Sequence, residues 1–340
     1  METLFAPSAP TRAAPARADV LARTAPLYDR VRRVVPPADW AFLAEDAEAI
    51  LRLKRERNAV ILAHNYQTPE IFHCVADIVG DSLALAREAT RVDADVIVLA
   101  GVYFMAETAK ILNPGKTVLI PDAGAGCSLA DSITAQDVRL MRQAYPGLPV
   151  IAYVNTSAAV KAEVDVCCTS GNAARVVKSF GVPKVIMLPD QYLAKNVAAE
   201  TGVEIISWAG QCEVHELFTA ADVRELRAAN PGVTVLVHPE CPPEVVAEAD
   251  FAGSTAAMAD YVGTKRPSRV VLLTECSMSD NIAVQYPDLD FVRPCNLCPH
   301  MKKITLANIR KALEENQHEV VVAPDVAERA RGSVERMLVL

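Results

Sequence analysis

The 340-residue sequence has no unbroken apolar run of the roughly 18 residues that a membrane-spanning helix requires. It also has no excess of basic charge, because 34 Lys and Arg against 42 Asp and Glu give a net charge of -8. A nucleic-acid-binding face needs clustered positive charge, which this balance does not favour. Neither a membrane nor a nucleic acid is therefore an expected partner. With 51% apolar residues, the chain can bury a substantial core in two or three domains.

The N-terminal segment lacks the apolar core of a secretory signal peptide. Residues 1–26 are rich in Ala, Pro and Arg, and they carry Glu2 and Asp19. We interpret them as a mobile extension, with a transit peptide as the weaker alternative. A chain that is not exported stays in a reducing compartment, here the cytoplasm, where nine cysteines would not form a disulfide framework. The cysteines are then core thiols, metal ligands or redox groups.

Three of the cysteines recur at an almost constant spacing. Cys127, Cys212 and Cys298 are 85 and 86 residues apart, and each follows a short apolar strand and a turn. The segments between them repeat as well. Each repeat opens with a β-branched run and passes through a small-residue turn into a helix. A second strand and then the cysteine-bearing third strand complete the unit.

Strands that alternate with helices predict parallel sheets covered by helices. We therefore predict an α/β fold of three similar three-layer αβα units with parallel sheets, related by a pseudo-threefold axis with the active site at the centre. The predicted units are residues 58–147, 148–231 and 232–340, the last with C-terminal helices. An N-terminal extension and helices precede them over residues 1–57.

Similar helices link the predicted units. Thr134 and Thr219 are the expected N-caps of two linking helices, and each helix is expected to stop at a Pro-Gly pair. A further helix follows the third unit and leads into residues 319–325, where one more strand could form.

Polar residues with useful chemistry stand where the first strand of each predicted unit ends. In open parallel sheets, ligands bind beyond the carboxyl ends of the strands. Three units that face one axis would bring these residues into one central cavity. They are His64, Asn65 and Tyr66 in the first unit, Tyr153 and Asn155 in the second, and His238 and Glu240 in the third.

One cysteine from each unit suggests a single metal centre. Structural zinc usually takes four ligands from closely spaced pairs, which these cysteines are not. A [4Fe–4S] cluster normally takes four cysteines, so three would leave one iron free to hold a substrate oxygen or nitrogen as a Lewis acid. The alternative is that the three are buried core thiols. Their Gly- and Pro-rich contexts favour ligands, because a cluster needs close approach of the backbone.

The other six cysteines lack this repeated context. We interpret five of them as structural: Cys74, Cys167, Cys168, Cys241 and Cys276. The sixth, Cys295, forms Cys-x-x-Cys with Cys298 and is either half of a redox pair or only the neighbour of a ligand.

Several motifs together resemble the quinolinate synthase family over about residues 40–325. They include "ILAHNYQ", "GDSLALA", "VYFMAETAKILNP", "AGCSLAD", "AYVNTSAAVKA", "LPDQYLAKN", "WAGQCEVHE" and "CPHMKKIT". The resemblance implies condensation of iminoaspartate with dihydroxyacetone phosphate to quinolinate, phosphate and water in de novo NAD synthesis. It also implies three similar domains around one oxygen-sensitive [4Fe–4S] cluster, with Cys127, Cys212 and Cys298 as ligands. An L-aspartate oxidase or dehydrogenase is the implied supplier of iminoaspartate.

Some family members carry further cysteines before the last ligand that form a redox-sensitive disulfide. In this sequence, Arg293 and Pro294 precede Cys295, so the full Cys-x-x-Cys-x-x-Cys is absent. Disulfide regulation is therefore not carried over to this chain.

The substrates are anionic, yet the motifs contain no evident arginine clamp. Helix N-termini can replace one, and Ser82, Ser170 and the pair Ser254–Thr255 stand at expected helix starts. Plain N-capping is the alternative. The two lysines of "MKK" could hold phosphate or could simply begin a surface helix.

The resemblance makes His64 and His238 substrate contacts or proton carriers. Glu240 is a candidate general base, Tyr153 a proton donor or acceptor near a carbonyl, and Asn155 a group that orients a carbonyl or carboxylate. The expected catalytic set is Tyr153, Glu240, His64 and His238. The expected substrate-binding set is His64, Ser82, Tyr153, Asn155, Ser170, His238, Glu240 and Thr255. Glu107 is left out of the catalytic set.

Three other functions stay open from the sequence. One is another three-cysteine cluster dehydratase that acts on a hydroxy acid. The second is an iron–sulfur redox sensor, which would not need His, Tyr, Asn and Glu at the strand ends. The third is a zinc protein, which would be colourless.

Overall fold

The computed structural model describes residues 16–340. Residues 1–15, the first part of the expected extension, lie outside the described residues. The remainder of that expected extension is ordered, because the first helix, α1 (Ala18–Val31), buries Val20 and Thr24. This helix packs on the next helix and on the π-helical turn Ile71–Val75.

Twelve strands within the described residues form three four-stranded sheets, and every paired strand is parallel. Each sheet has the same order: its second strand, its first, its third and its fourth. The first sheet contains β1 (Ala59–His64), β2 (Ile78–Gly80), β3 (Val96–Ala100) and β4 (Thr117–Leu119). The second contains β5 (Val150–Tyr153), β6 (Val166–Cys168), β7 (Lys184–Leu188) and β8 (Glu204–Ser207). The third contains β9 (Thr234–Val237), β10 (Phe251–Ala252), β11 (Arg269–Leu273) and β12 (Asp290–Val292).

This architecture confirms the predicted α/β fold of three similar units. The two middle strands of each sheet are buried and apolar, as expected for parallel sheets that helices cover on both faces. The sequence predicted three strands for each unit and missed the fourth. The missed strands are β2, β6 and β10, which have only two or three residues at a sheet edge and therefore show no readable alternation.

Fifteen α-helices within the described residues surround the sheets. The first eight are α1 (Ala18–Val31), α2 (Pro37–Glu56), α3 (Ser82–Ala89), α4 (Tyr103–Leu112), α5 (Ser128–Asp131), α6 (Ala135–Ala144), α7 (Ala158–Lys161) and α8 (Ala173–Ser179). The others are α9 (Gln191–Thr201), α10 (Ala220–Ala229), α11 (Pro243–Ala247), α12 (Thr255–Lys265), α13 (Ser277–Gln285), α14 (Leu306–Glu315) and α15 (Pro324–Val339). Among residues 16–340, none of the helices has the length and apolar character to cross a membrane.

The linking helices begin as the sequence predicts. Thr134 and Thr219 are the N-caps of α6 and α10, and each forms a reciprocal capping box with an aspartate three residues later. The strand expected at 319–325 is reduced to one antiparallel bridge between Leu119 and Glu319. It stops there because Pro324 starts α15. That last helix packs against β6 and α7, whereas α14 packs against α2.

Candidate active site

One cavity of about 730 Å³, solvent at its mouth included, is lined by residues from all three units. The structure brings every residue of the predicted site to its wall, although their chemical roles stay predictions. These residues are His64, Ser82, Cys127, Tyr153, Asn155, Ser170, Cys212, His238, Glu240, Thr255 and Cys298.

The first strand of each unit supplies two of these polar groups from one pattern. In each unit the chain turns where this strand ends and brings two residues, two positions apart, to the cavity. Two such pairs are Tyr153 with Asn155 at the end of β5 and His238 with Glu240 just after β9. In the first unit the partner of His64 is Tyr66, which the sequence placed at the strand end but left out of the expected site. All of these residues line the cavity.

His64 and His238 are held in the same way. The Nδ1 atom of each ring accepts a backbone N–H two residues later, from Tyr66 at 3.2 Å and from Glu240 at 3.3 Å. A neutral ring that accepts at Nδ1 carries its proton on Nε2. Burial lowers the pKa of His64 to about 4 and of His238 to about 3, although the charge of Glu240 opposes both shifts. Both rings are therefore neutral donors near pH 7.

Glu240 is a buried carboxylate of the cavity wall with a partner at each oxygen. Tyr153 donates its hydroxyl proton to Oε1, and Nδ1 of His215 lies 2.8 Å from Oε2. Burial by itself would raise the pKa of Glu240, but the interactions with His215, His238 and Tyr153 lower it below its usual value. Burial and the charge of Glu240 raise the pKa of Tyr153, so the phenol stays protonated. The pair therefore consists of an ionised Glu240 carboxylate and a protonated Tyr153 hydroxyl that donates to it.

His215 is the main cavity residue that the sequence analysis missed. Its Nδ1 lies 3.1 Å from Sγ of Cys212, and its Nε2 lies 2.9 Å from Oγ1 of Thr274. The hydroxyl of Tyr66 lies 2.5 Å from the same Thr274 oxygen. A signal was present, because Cys212 and His215 have the Cys-x-x-His spacing of metal ligands. The contacts of His215 with Thr274 and Glu240 join residues far apart in the chain, so the spacing could not predict them.

The three site cysteines are held by one repeated backbone arrangement. The carbonyl oxygen of each accepts the N–H group four residues later, at 3.0, 3.0 and 3.1 Å. Burial raises the pKa of each thiol, of Cys127 to about 12, whereas the N–H groups two and three residues later act on each sulfur and oppose that rise. Each cysteine thus stands at the start of a helical turn, where backbone dipoles favour a thiolate.

A second repeated contact fixes where these turns lie. In every unit, the residue two positions before the cysteine pairs with the chain just beyond the third strand. The contacts are Tyr103 N–H to Ala125 O at 2.7 Å, Gln191 N–H to Gly210 O at 2.8 Å, and a parallel bridge between Glu275 and Asn296. The regular sequence spacing of the cysteines therefore corresponds to equivalent places in three similar sheets.

The cavity has donor atoms suited to a metal centre. Three half-buried thiols approach from three units, and each has backbone N–H groups at its sulfur. Thiolates with such contacts suit iron–sulfur or zinc chemistry. A separate group of donors, one each from Cys212, His215 and Glu240, lies within 4.8 Å of one another and could hold a single metal ion.

The serine and threonine residues expected at helix starts do not all occupy the N-cap position. Asp81 caps α3 and Ser254 caps α12, each by accepting a backbone N–H from the residue three positions later, at 2.9 and 3.3 Å. Ser82 and Thr255 are therefore the first helical residues and are not themselves the caps. Ser170 lies in the turn before α8, and its Oγ is 3.1 Å from Nε2 of His238.

The lysines of "MKK" are not placed to hold a phosphate in the cavity. Nζ of Lys302 contacts Glu275, Ser277 and the carbonyl of Tyr66, and Nζ of Lys303 donates to the carbonyl of Gly124 at 2.6 Å. Neither lysine lines the cavity.

Glu107 also stands outside the cavity wall. Its carboxylate accepts the backbone N–H of Ala158 at 2.9 Å, which links α4 to the start of α7. Leaving Glu107 out of the catalytic set stays a prediction.

The remaining cysteines correct one expectation. Cys74, Cys167, Cys168 and Cys241 are buried free thiols, but Cys276 and Cys295 form a disulfide. The bridge between Glu275 and Asn296 places the two chain segments side by side and brings the two Cα atoms to 4.9 Å. The expectation of no disulfides fails here because two residues distant in sequence meet across this bridge.

Three similar parallel α/β units around one cavity of polar and thiol groups define an enzyme of small-molecule metabolism with a potential metal centre. A family model described as "Quinolinate synthetase A protein" matches residues 48–339. The chain belongs to this family of enzymes.

Curated relatives agree with this membership. "Quinolinate synthase 1" of Mesorhizobium japonicum is 77% identical over 319 residues, which are 94% of this chain and 98% of that protein. "Quinolinate synthase" of Agrobacterium fabrum is 74% identical over 92% of this chain and 91% of that protein. "Quinolinate synthase" of Caulobacter vibrioides is 58% identical over 94% of this chain and 88% of that protein.

Proposed function

We propose that this chain makes quinolinate from iminoaspartate and dihydroxyacetone phosphate, with release of phosphate and water. The names of its relatives support this activity. The observation that carries it is the meeting of three cysteines and the strand-end His, Tyr, Asn and Glu residues in one cavity. A redox sensor would need the cysteines but not these acid–base groups.

Cys127, Cys212 and Cys298 would hold the cofactor, which we take to be one [4Fe–4S] cluster per chain. Three sulfur ligands leave one iron without a protein ligand. When bound, such a cluster supplies a Lewis acid that polarises a leaving hydroxyl group during dehydration. The N–H groups at each sulfur would favour the thiolate form that a cluster requires.

The anionic substrates must be bound without a cationic side chain. Among the described residues, no lysine or arginine lines the cavity. The donors that remain are hydroxyls, imidazole N–H groups and the N–H groups at helix starts, which bind carboxylate and phosphate well. Ser82, Ser170 and Thr255 are the hydroxyls placed for this role. Nε2–H of His64 can donate to a substrate oxygen atom, and Nε2–H of His238 points to Oγ of Ser170, whose own hydroxyl proton can then be donated to the substrate.

Asn155 supplies an acceptor. Its Oδ1 atom is buried at the cavity wall and has no hydrogen-bond partner among the described residues. A buried acceptor without a partner is costly, and a bound donor would relieve that cost. An amine or hydroxyl hydrogen of the substrate would be such a donor.

Glu240 and Tyr153 would transfer protons during the reaction. The carboxylate of Glu240 carries no proton, so it is the proton acceptor of the pair during condensation and ring closure, and its contacts with Tyr153 and His215 hold it in place. Tyr153 can return a proton to a carbonyl or phosphate-bearing oxygen. Both side chains are nearly inaccessible to solvent, which limits hydrolysis of the imine.

The supply of iminoaspartate by an L-aspartate oxidase or dehydrogenase remains part of this proposal. So does a cytoplasmic location.

Anaerobic purification of the wild type and of Cys212→Ala tests the proposal. About four irons and four sulfides per chain with a brown colour, lost in the variant, are expected for a cluster. Quinolinate should then form from the two substrates. Iron-free protein after anaerobic reconstitution would overturn the cluster, and an iron–sulfur protein that forms no quinolinate would overturn the reaction.

A further inference from the structure

Cys212, His215 and Glu240 form a compact donor set that differs from the set proposed for the cluster. Nδ1 of His215 lies 3.1 Å from Sγ of Cys212 and 2.8 Å from Oε2 of Glu240. All three donor atoms lie within 4.8 Å of one another. Only Cys212 also belongs to the proposed cluster ligands.

The spacing suits a four-coordinate ion. Bonds of about 2.0–2.3 Å place tetrahedral ligand atoms about 3.3–3.8 Å apart. The distance from Nδ1 of His215 to Cys212 is therefore about 0.2–0.7 Å shorter than in a liganded site, and the distance to Glu240 is about 0.5–1.0 Å shorter. Small side-chain rotations would open the space for the ion.

The surroundings of the set are those of metal ligands. A ligating histidine usually donates its other ring N–H to a nearby acceptor, which fixes the tautomer. Nε2 of His215 lies 2.9 Å from Oγ1 of Thr274, which fits that role. A ligating carboxylate is commonly hydrogen-bonded as well, and Tyr153 donates to the second oxygen of Glu240.

The chemistry of the donors selects the ion. One thiolate and one carboxylate balance a divalent charge, and a mixed S, N and O set suits zinc rather than magnesium or calcium. All three residues line the cavity, so the fourth position would face it. We propose that the cluster-free chain binds one zinc-class divalent ion through Cys212, His215 and Glu240.

Zinc and the cluster would exclude each other because both need the Cys212 thiolate. Zinc-loaded chain should therefore resist cluster assembly until a chelator removes the ion. This inference concerns the cluster-free chain and stands or falls separately from the proposed reaction.

A double variant, Cys127→Ala with Cys298→Ala, isolates the site because it keeps only one of the three cysteines proposed for the cluster. The full-length variant is freed of metal with a chelator, and zinc chloride is titrated in competition with a chromophoric chelator under anaerobic conditions. One zinc per chain is expected. Cobalt chloride gives a second readout, since a thiolate-to-cobalt charge-transfer band reports the Cys212 bond.

His215→Ala and Glu240→Gln in the same background should each weaken zinc binding by at least about tenfold. Glu240→Gln keeps the size of the side chain, so its thermal unfolding serves to separate ligand loss from misfolding. His64→Ala is the matched control, because it removes a buried cavity imidazole outside the set and should leave zinc affinity unchanged. A double variant that binds no stoichiometric zinc would overturn the proposal. So would equal zinc affinities of the His215→Ala, Glu240→Gln and His64→Ala chains.

Discussion

Nζ of Lys302 lies 2.9 Å from Oε1 of Glu275, a carboxylate with no solvent exposure. The same ammonium group donates to Oγ of Ser277 at 2.6 Å and to the carbonyl of Tyr66 at 2.8 Å. A lysine has three N–H donors, so this one is fully used. The ion pair joins the end of β1 to the end of β11 and to the helical turn of Cys298, and it thus fixes two sides of the cavity.

Lys302→Met should destabilise the chain strongly, because it leaves Glu275 buried without its cation. Breaking a buried pair in this way costs about 3 kcal/mol. Urea unfolding of the cluster-free chain measures the change. Lys303→Met is the control, since the ammonium group of this exposed lysine donates to a carbonyl and pairs with no carboxylate among the described residues. It should change stability by less than about 1 kcal/mol. Similar losses for the two variants would contradict the role given to the pair.

Stability should fall as the pH drops from about 6.5 to about 4. The pKa of His64 is lowered by burial to about 4 and that of His238 to about 3. In this window these histidines bind protons in the unfolded chain but not in the folded chain, so falling pH stabilises the unfolded state and lowers the free energy of unfolding. Each shift corresponds to about 3 kcal/mol at the acid end. Urea unfolding of wild type and His64→Gln checks this, and a variant with an unchanged slope of stability against pH would refute it.

Tyr153→Phe should slow the reaction without unfolding the chain. The substitution removes one hydroxyl, and Glu240 then loses the donor to its Oε1 atom. A general acid–base partner contributes about 10²-fold or more, so kcat for quinolinate formation should fall by about that factor. Tyr145→Phe is the control, because Tyr145 is 40% exposed and lies outside the cavity wall. Equal rates for Tyr153→Phe and wild type would remove Tyr153 from the catalytic set.

The choice between Cys295 and Cys298 as a metal ligand is directly testable. Cys298 lines the cavity, whereas Cys295 forms a disulfide with Cys276. Iron and sulfide content after anaerobic reconstitution should stay at the wild-type level in Cys276→Ser and Cys295→Ser. In Cys298→Ser it should drop or become labile. Loss of iron in Cys295→Ser alone would reverse the assignment.

Much of the fold could be predicted because its information is local. β-Branched runs marked the two inner strands of each sheet, and polar residues at their carboxyl ends marked the cavity. The cysteine positions followed from the repeat, since Ala125, Gly210 and Asn296 pair with equivalent places in the three sheets.

Most of what the sequence could not predict depends on contacts between residues far apart in the chain. His215 became a candidate only when Thr274 and Glu240 were seen beside it. The disulfide and the engagement of Lys302 likewise depend on segments brought together by folding. The strand β10 has only two residues, which carry too little pattern to be read.

Gly210 should be the glycine least tolerant of substitution among those near the cysteines. A Cβ atom there would lie 2.6 Å from the carbonyl oxygen of Pro189 and 2.6 Å from Oγ of Ser132. The contact with Pro189 is to backbone, so Gly210→Ala must push the Cys212 turn away from the end of β7 or strain it. We expect a loss of about 1–3 kcal/mol in urea unfolding and a weaker hold on iron after reconstitution. Gly115→Ala is the matched control, since no atom of residues 16–340 lies within 4 Å of its Cβ position. If both variants keep wild-type stability and iron content, the close packing of Gly210 does not position Cys212.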